Sequence, residues 1–143
     1  METILHDVPT PPGDYILDVE RLRDAGMVVS CIRAKKSLAW VDLSTKGLKR
    51  MGLRRTDLID TPVTEYASTR SWAERLHAGT TAQGLLWTSR QDDDAKAMVL
   101  FGDRIAESAF KIEIECEPAC EGEHLDALLR IAEHIGVQRL IGL

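Results

Sequence analysis

Thr88-Ser89-Arg90 sets two hydroxyls and a guanidinium in a row, directly after the apolar run Gly84-Leu85-Leu86-Trp87. Leu85 to Thr88 reads as a strand, and a strand end is where enzymes tend to place reactive groups. A hydroxyl there can orient a substrate through hydrogen bonds. A guanidinium can fork onto phosphate oxygens. The bland reading of Ser89 is that it satisfies backbone groups at the strand end.

Other groups that could do chemistry are weaker. Asp92-Asp93-Asp94 suggests a cation site, but consecutive acids point in different directions and no EF-hand spacing follows, so a solvated acidic loop is expected. Cys116, Cys120 and His124, with His134 as a fourth ligand, could line one helix face. Pro118 interrupts that helix and the spacing is not that of a zinc knuckle, so inert thiols and no metal are expected. His77, near a helix end, reads as a capping or surface residue. There is no Gly-rich phosphate loop and no nucleophile elbow.

The chain has 143 residues, 44% of them hydrophobic, which suits one domain with a real core. Its formal net charge of −5 argues against a nucleic-acid backbone as direct partner. No run approaches a membrane span, and Met1-Glu2 opens without a basic leader. The three cysteines form no C-x-x-C pair, so no disulfide framework is expected. A cytoplasmic protein is the expectation.

The elements follow from periodicity and punctuation. Glu2 to His6 reads as the last turn of a helix whose start lies upstream, and the segment from Asp7 through Pro9, Pro11 and Pro12 to Gly13 breaks it. Residues 15–19 could form a strand, followed by charged residues leading into a turn at Ala25-Gly26. Residues 27–33 and 38–43 read as strands. Ser44 or Thr45 caps a short helix that ends at Gly52, and residues 54–59 suggest another helical turn. Thr61-Pro62 is a helix start, and Gly79 suits a left-handed stop. Thr69, Trp72, Ala73 and Leu76 form the apolar stripe of that helix. A buried strand is expected over 98–101. Residues 111–116 alternate strictly, as in a strand with one solvated face. A last helix over 121–135 carries Leu125, Leu128, Leu129, Ala132 and Ile135 on one side. Helices and strands mix without regular βαβ alternation, so the expected class is α+β, with mixed or antiparallel sheets and flanking helices.

Several short motifs, in order, carry a resemblance. Tyr66…Thr69-Arg70…Trp72-Ala73…His77, then Gly84-Leu85…Trp87-Thr88-Ser89-Arg90-Gln91, then Leu100-Phe101-Gly102-Asp103-Arg104, resemble the RES domain. Glu2-Thr3…Leu5-His6-Asp7-Val8-Pro9 is similar to the segment around that family's glutamate. The likeness spans essentially residues 1–143 as a single domain. It implies a fold similar to ADP-ribosyltransferases of the diphtheria-toxin kind. It also implies consumption of NAD, and a place as the toxin of a bacterial toxin–antitoxin pair. The implied partner is an Xre-like antitoxin whose C-terminal part blocks the NAD site.

Of the arginine, glutamate and serine that name the family, the glutamate falls on Glu2 and the serine on Ser89. The resemblance implies that both face one cleft. The arginine is expected upstream of Met1, so this chain alone is expected to bind NAD poorly. Breaking the nicotinamide–ribose bond builds oxocarbenium character, which a carboxylate stabilises; that role is given to Glu2. Ser89 would orient the nicotinamide or ribose. Arg90 and Arg70 are candidate phosphate contacts. Tyr66 and Trp72 sit at helical spacing and read as core, with an adenine platform the alternative, for which Tyr66 is retained. ADP-ribose could pass to water, phosphate or a protein. The competing reading is a catalytically inactive RES-like module that binds a protein partner.

Overall fold

The computed structural model describes residues 2–5, 8, 9 and 12–142, without the side chains of Glu2, Thr3 and Val63. His6, the end of the expected first helical turn, and Asp7, Thr10 and Pro11 of the expected helix-breaking segment lie outside the described residues. The class is α+β. Two compact units are present, one of residues 1–33 and 111–143, the other of residues 34–110.

In the first unit, helix α1 (Glu2–Leu5) precedes strand β1 (Ile16–Asp18), helix α2 (Val19–Asp24) and strand β2 (Val28–Ala34). The chain returns as strand β6 (Phe110–Pro118), helix α5 (Gly122–His134) and strand β7 (Arg139–Ile141). Strands β1 and β7 pair in parallel, Leu17 opposite Leu140. Strands β2 and β6 pair with each other. Ser30 meets Cys116 and Arg33 meets Glu113, in opposite order along the two strands, so this ribbon is antiparallel.

Helix α5 buries Leu128 and Ala132 against Leu17, Val19 and Val137, with Leu125, Leu129 and Ile135 half-buried beside them, as its apolar spacing requires. Residues 19–24 are helical rather than the charged approach to a turn that the sequence suggests. The carboxylate of Asp18 accepts the Arg21 N–H at 3.0 Å, and that cap starts the helix. The alternation over 111–116 does not bury a face: Ile114 is half-buried and Ile112 exposed. A two-stranded ribbon has little to pack against. Cys116, at φ 51°, also breaks its regular geometry.

In the second unit, strand β3 (Trp40–Asp42), helix α3 (Thr45–Arg50), helix α4 (Tyr66–Gly79), strand β4 (Gly84–Thr88) and strand β5 (Lys96–Leu100) follow in order. The sheet runs β3-β4-β5, parallel at the first pairing and antiparallel at the second. Leu43, Leu48, Leu85 and Phe101 form the core, with Ala73, Leu76 and Trp87 packed on it. Strand β5 is not the buried strand expected: Met98 is 52% and Val99 46% exposed. It lies at the sheet edge, paired with β4.

Both ends of α4 also differ from expectation. Thr61-Pro62 opens a single 3₁₀ turn over Val63–Glu65, and the α-helix starts at Tyr66. Gly79 is the last helical residue, not a left-handed stop. The closure comes from elsewhere. The Thr80 hydroxyl donates to the Leu76 carbonyl at 2.7 Å. The Arg104 guanidinium donates to the carbonyls of His77, Thr80 and Ala82. A planar fork with five donors suits such gathering of carbonyls, and an ammonium does not. Arg104→Lys is therefore expected to destabilise the protein by about 2 kcal/mol, the scale of a lost charge-assisted hydrogen bond. Chemical denaturation checks this; an unchanged midpoint would show that α4 ends without Arg104.

Candidate functional site

The carboxyl ends of two parallel strands, β3 and β4, lie side by side, with Asp42 paired to Leu86. Strand β5 begins beside the end of β4, Thr88 opposite Lys96. The intervening residues 89–95 form a loop closed on itself. The Ser89 N–H donates to the Ala95 carbonyl at 2.9 Å. The Ser89 Oγ accepts the N–H groups of Gln91 at 3.0 Å and Asp92 at 3.2 Å. The Asp92 carboxylate accepts the Asp94 N–H at 2.9 Å. Ser89 is 3% exposed. Its oxygen organises the loop that carries Arg90 and Gln91, so the strand-end hydroxyl is in place as expected and the bland reading is also met.

Two further polar groups, Lys96 and Asp42, gather at this end, and motif reading misses them. The Lys96 Nζ donates to the Thr88 Oγ1 at 2.7 Å. The Asp42 carboxylate accepts the Ser44 N–H at 2.8 Å. Hydrogen bonding to Ser44 holds the Asp42 carboxyl below the usual carboxylate range; burial opposes this, and the nearby charges of Arg50 and Lys96 add lesser favourable effects. The signal in the sequence was positional: once β4 and β5 form a hairpin around residues 89–95, Lys96 must lie beside Thr88.

The other expected contacts lie on α4. Tyr66 and Arg70 are one turn apart on the same side of the helix, both exposed. Tyr66 is 37% exposed rather than core. Trp72 is half-buried, and the Arg75 guanidinium stands 5.5 Å from its ring centre. Ala73 and Leu76 carry the inward stripe.

His77 is tied rather than free. Its Nε2 lies 2.9 and 3.1 Å from the two carboxylate oxygens of Asp103, and its ring meets Phe101 edge-on. The hydrogen bond from His77 holds the Asp103 carboxyl below its ordinary range. The ionised carboxylate therefore favours the folded state. That contribution is full above the ordinary carboxylate value near 4 and is lost as pH falls through the lowered one. The thermal midpoints of the protein and of Asp103→Asn should differ at pH 6 and converge as pH drops below 4. A gap that stays constant with pH would disprove the pairing.

Glu2 opens α1 in the first unit, and its side chain lies outside the described residues. Cys120 is buried, which pushes its thiol pKa up. His124 lies 2.9 Å from Glu117, and the Cys116 N–H donates to the Ser30 hydroxyl. Among the described residues no three metal-binding side chains converge, and no helix is long and apolar enough to cross a membrane.

No curated protein and no solved structure matches the chain. One family model does, the RES domain, over residues 1–122. That span holds Glu2, the whole of the second unit, the Ser89 loop and the Asp103–Arg104 pair. A match over so much of its length means that the chain belongs to the RES domain family.

Proposed function

We propose that this protein consumes NAD, cleaving the bond between nicotinamide and ribose and passing ADP-ribose to water, phosphate or a protein. In this reading Glu2 stabilises the positive charge that develops on the ribose, and the Ser89 loop orients the nicotinamide side. Arg90 and Arg70 are phosphate contacts, and Tyr66 lies against adenine. The protein acts in the cytoplasm as the toxin of a bacterial type II toxin–antitoxin pair. An Xre-like antitoxin holds it in check. The chemistry needs no metal, and the protein does not bind nucleic acid directly.

The family match over residues 1–122 carries this reading, because it covers both Glu2 and Ser89. The test is to incubate the purified protein with NAD, in the presence and absence of phosphate, and to resolve the products. Release of nicotinamide supports the proposal, and the second product identifies the acceptor. NAD left intact even at concentrations high enough to offset weak binding overturns it.

A second reading has an observation of its own. The Ser89 oxygen already accepts two backbone N–H groups, as a purely structural residue would. A catalytically inactive module of the family would then bind an Xre-like partner while leaving NAD untouched.

A further inference from the structure

Among the described residues β6 is the longest strand, at 9 residues, and it is paired on one side only, with β2. Its other edge is a row of backbone donors and acceptors that a further strand can use. Where the ribbon begins, the Lys35 N–H donates to the Ala109 carbonyl at 2.9 Å. In an antiparallel pair, backbone groups turn toward the partner and away from it at alternate residues. Counting from Ala109, Lys111 and Glu113 turn theirs to β2, and Ile112 and Ile114 turn theirs outward. The Phe110 N–H is taken by the Glu107 carbonyl, which leaves the Phe110 carbonyl to the outer edge. The same count sets Cys31 beside Glu113, and the Cys31 sulfur lies 4.0 Å from that carboxylate.

The side chains along this edge complement themselves when the strand is reversed. In Phe110-Lys111-Ile112-Glu113-Ile114 a cation and an anion flank Ile112 symmetrically. Two copies running antiparallel, centred on Ile112, put Lys111 of each opposite Glu113 of the other. On the other sheet face Ile112 meets its own copy, and Ile114 meets Phe110. Neighbouring registers fail. Centring on Lys111 or on Glu113 sets like charges opposite each other, and centring on Ile114 sets Glu113 opposite Glu115. Opposite charges and apolar pairs directly across a sheet stabilise it, and like charges destabilise it. A pair centred on Ile112 also needs the Ile112 N–H and C=O to point outward, as they do. Ile112 is 56% exposed and Lys111 is exposed, so both are open to a partner. Arg33 already holds Glu113, at 2.7 and 3.2 Å, but a carboxylate has about four lone-pair sites and can still accept an ammonium.

We propose that a second copy of this chain pairs with the first along β6, antiparallel and centred on Ile112, joining the two ribbons into one continuous sheet. The partner is fixed by the charge order, which suits a reversed copy of the same strand. An interface of one strand edge is small, so the dimer is weak and depends on concentration. The proposal goes beyond the reading of NAD consumption and does not rest on it.

Sedimentation velocity of the full chain over a range of concentrations, at low and at high salt, tests it. The wild type should dimerise, and salt should weaken the dimer by screening the exposed charges. Lys111→Glu makes both cross-copy charge pairs repulsive, and Glu113→Lys does the same with the opposite sign. Each alone should raise the dimer dissociation constant about tenfold. Mixed in equal amounts, the two variants should associate again, because every charge of one then faces its opposite on the other. Ile112→Pro removes an outward N–H, at a place where an edge strand tolerates proline, and should leave a monomer. A thermal melt checks that each variant is folded; should the proline variant unfold, the mixing experiment still decides. A wild type that stays monomeric throughout the range, a dimer indifferent to Lys111→Glu, or two charge variants that stay apart when mixed overturns the proposal. None of these measurements reads NAD consumption, so the proposed activity stands or falls separately.

Discussion

Gly47→Ala is expected to destabilise the protein by about 3 kcal/mol or more, toward or beyond the upper end of overpacking effects. An ideal Cβ at Gly47 would stand 1.8 Å from the Asp42 carbonyl oxygen and 2.7 Å from its carbon. These are backbone atoms of β3 and cannot swing aside as a flexible side chain would. Helix α3 cannot retreat either. The Ser44 Oγ accepts the Gly47 N–H at its start, and buried Leu48 anchors its next residue in the core. A control is at hand in Gly79→Ala, where nothing lies within 4 Å of the added carbon. In a helix that change should be neutral or stabilising by up to about 1 kcal/mol. Thermal melts separate the two, with a fall of about 10 °C expected for Gly47→Ala. Equal midpoints for both variants would refute the close approach of α3 to β3.

Glu2→Gln should lower NAD turnover by about 10²–10³ while changing NAD affinity far less. The amide keeps the shape of the side chain and removes the charge that opposes the developing positive sugar. Ser89→Ala should behave differently. Its hydroxyl orients a loop in the free protein and in every complex, so its loss should raise KM along with any fall in kcat. Steady-state kinetics on both variants decide the roles. If Glu2→Gln turns over NAD normally while Ser89→Ala is dead, the assignment reverses and the loop hydroxyl is the essential group.

The sequence was most legible where one local rule governs an element. The stripe of α5, the Ser44 cap of α3 and the apolar run of β4 each follow from spacing or a single cap, and each appears within a residue or two of its expected bounds. It was least legible where tertiary context decides. Met98 and Val99 are apolar enough for a buried strand, but their exposure depends on β5 being the edge of its sheet. Helix α2 is short and charged, and it forms because the Asp18 carboxylate is in place. The serine of the candidate site could be read from its motif. Lys96 and Asp42 could not, because only strand register brings them to the same face. The stop at Gly79 failed for a related reason, since a distant arginine closes α4.

That distant closure orders events in time. The carbonyls of His77, Thr80 and Ala82 wait for a donor 27, 24 and 22 residues further along the chain. During synthesis, α4 emerges before the residue that completes it, and its last turn frays in water until β4, β5 and Arg104 have followed. Native α4 and the hairpin therefore form together, as one cooperative unit rather than a helix to which a sheet is later added. Amide protons at the end of α4 should then exchange at the same rate as those of the β4–β5 ladder, not as those of a free helix terminus.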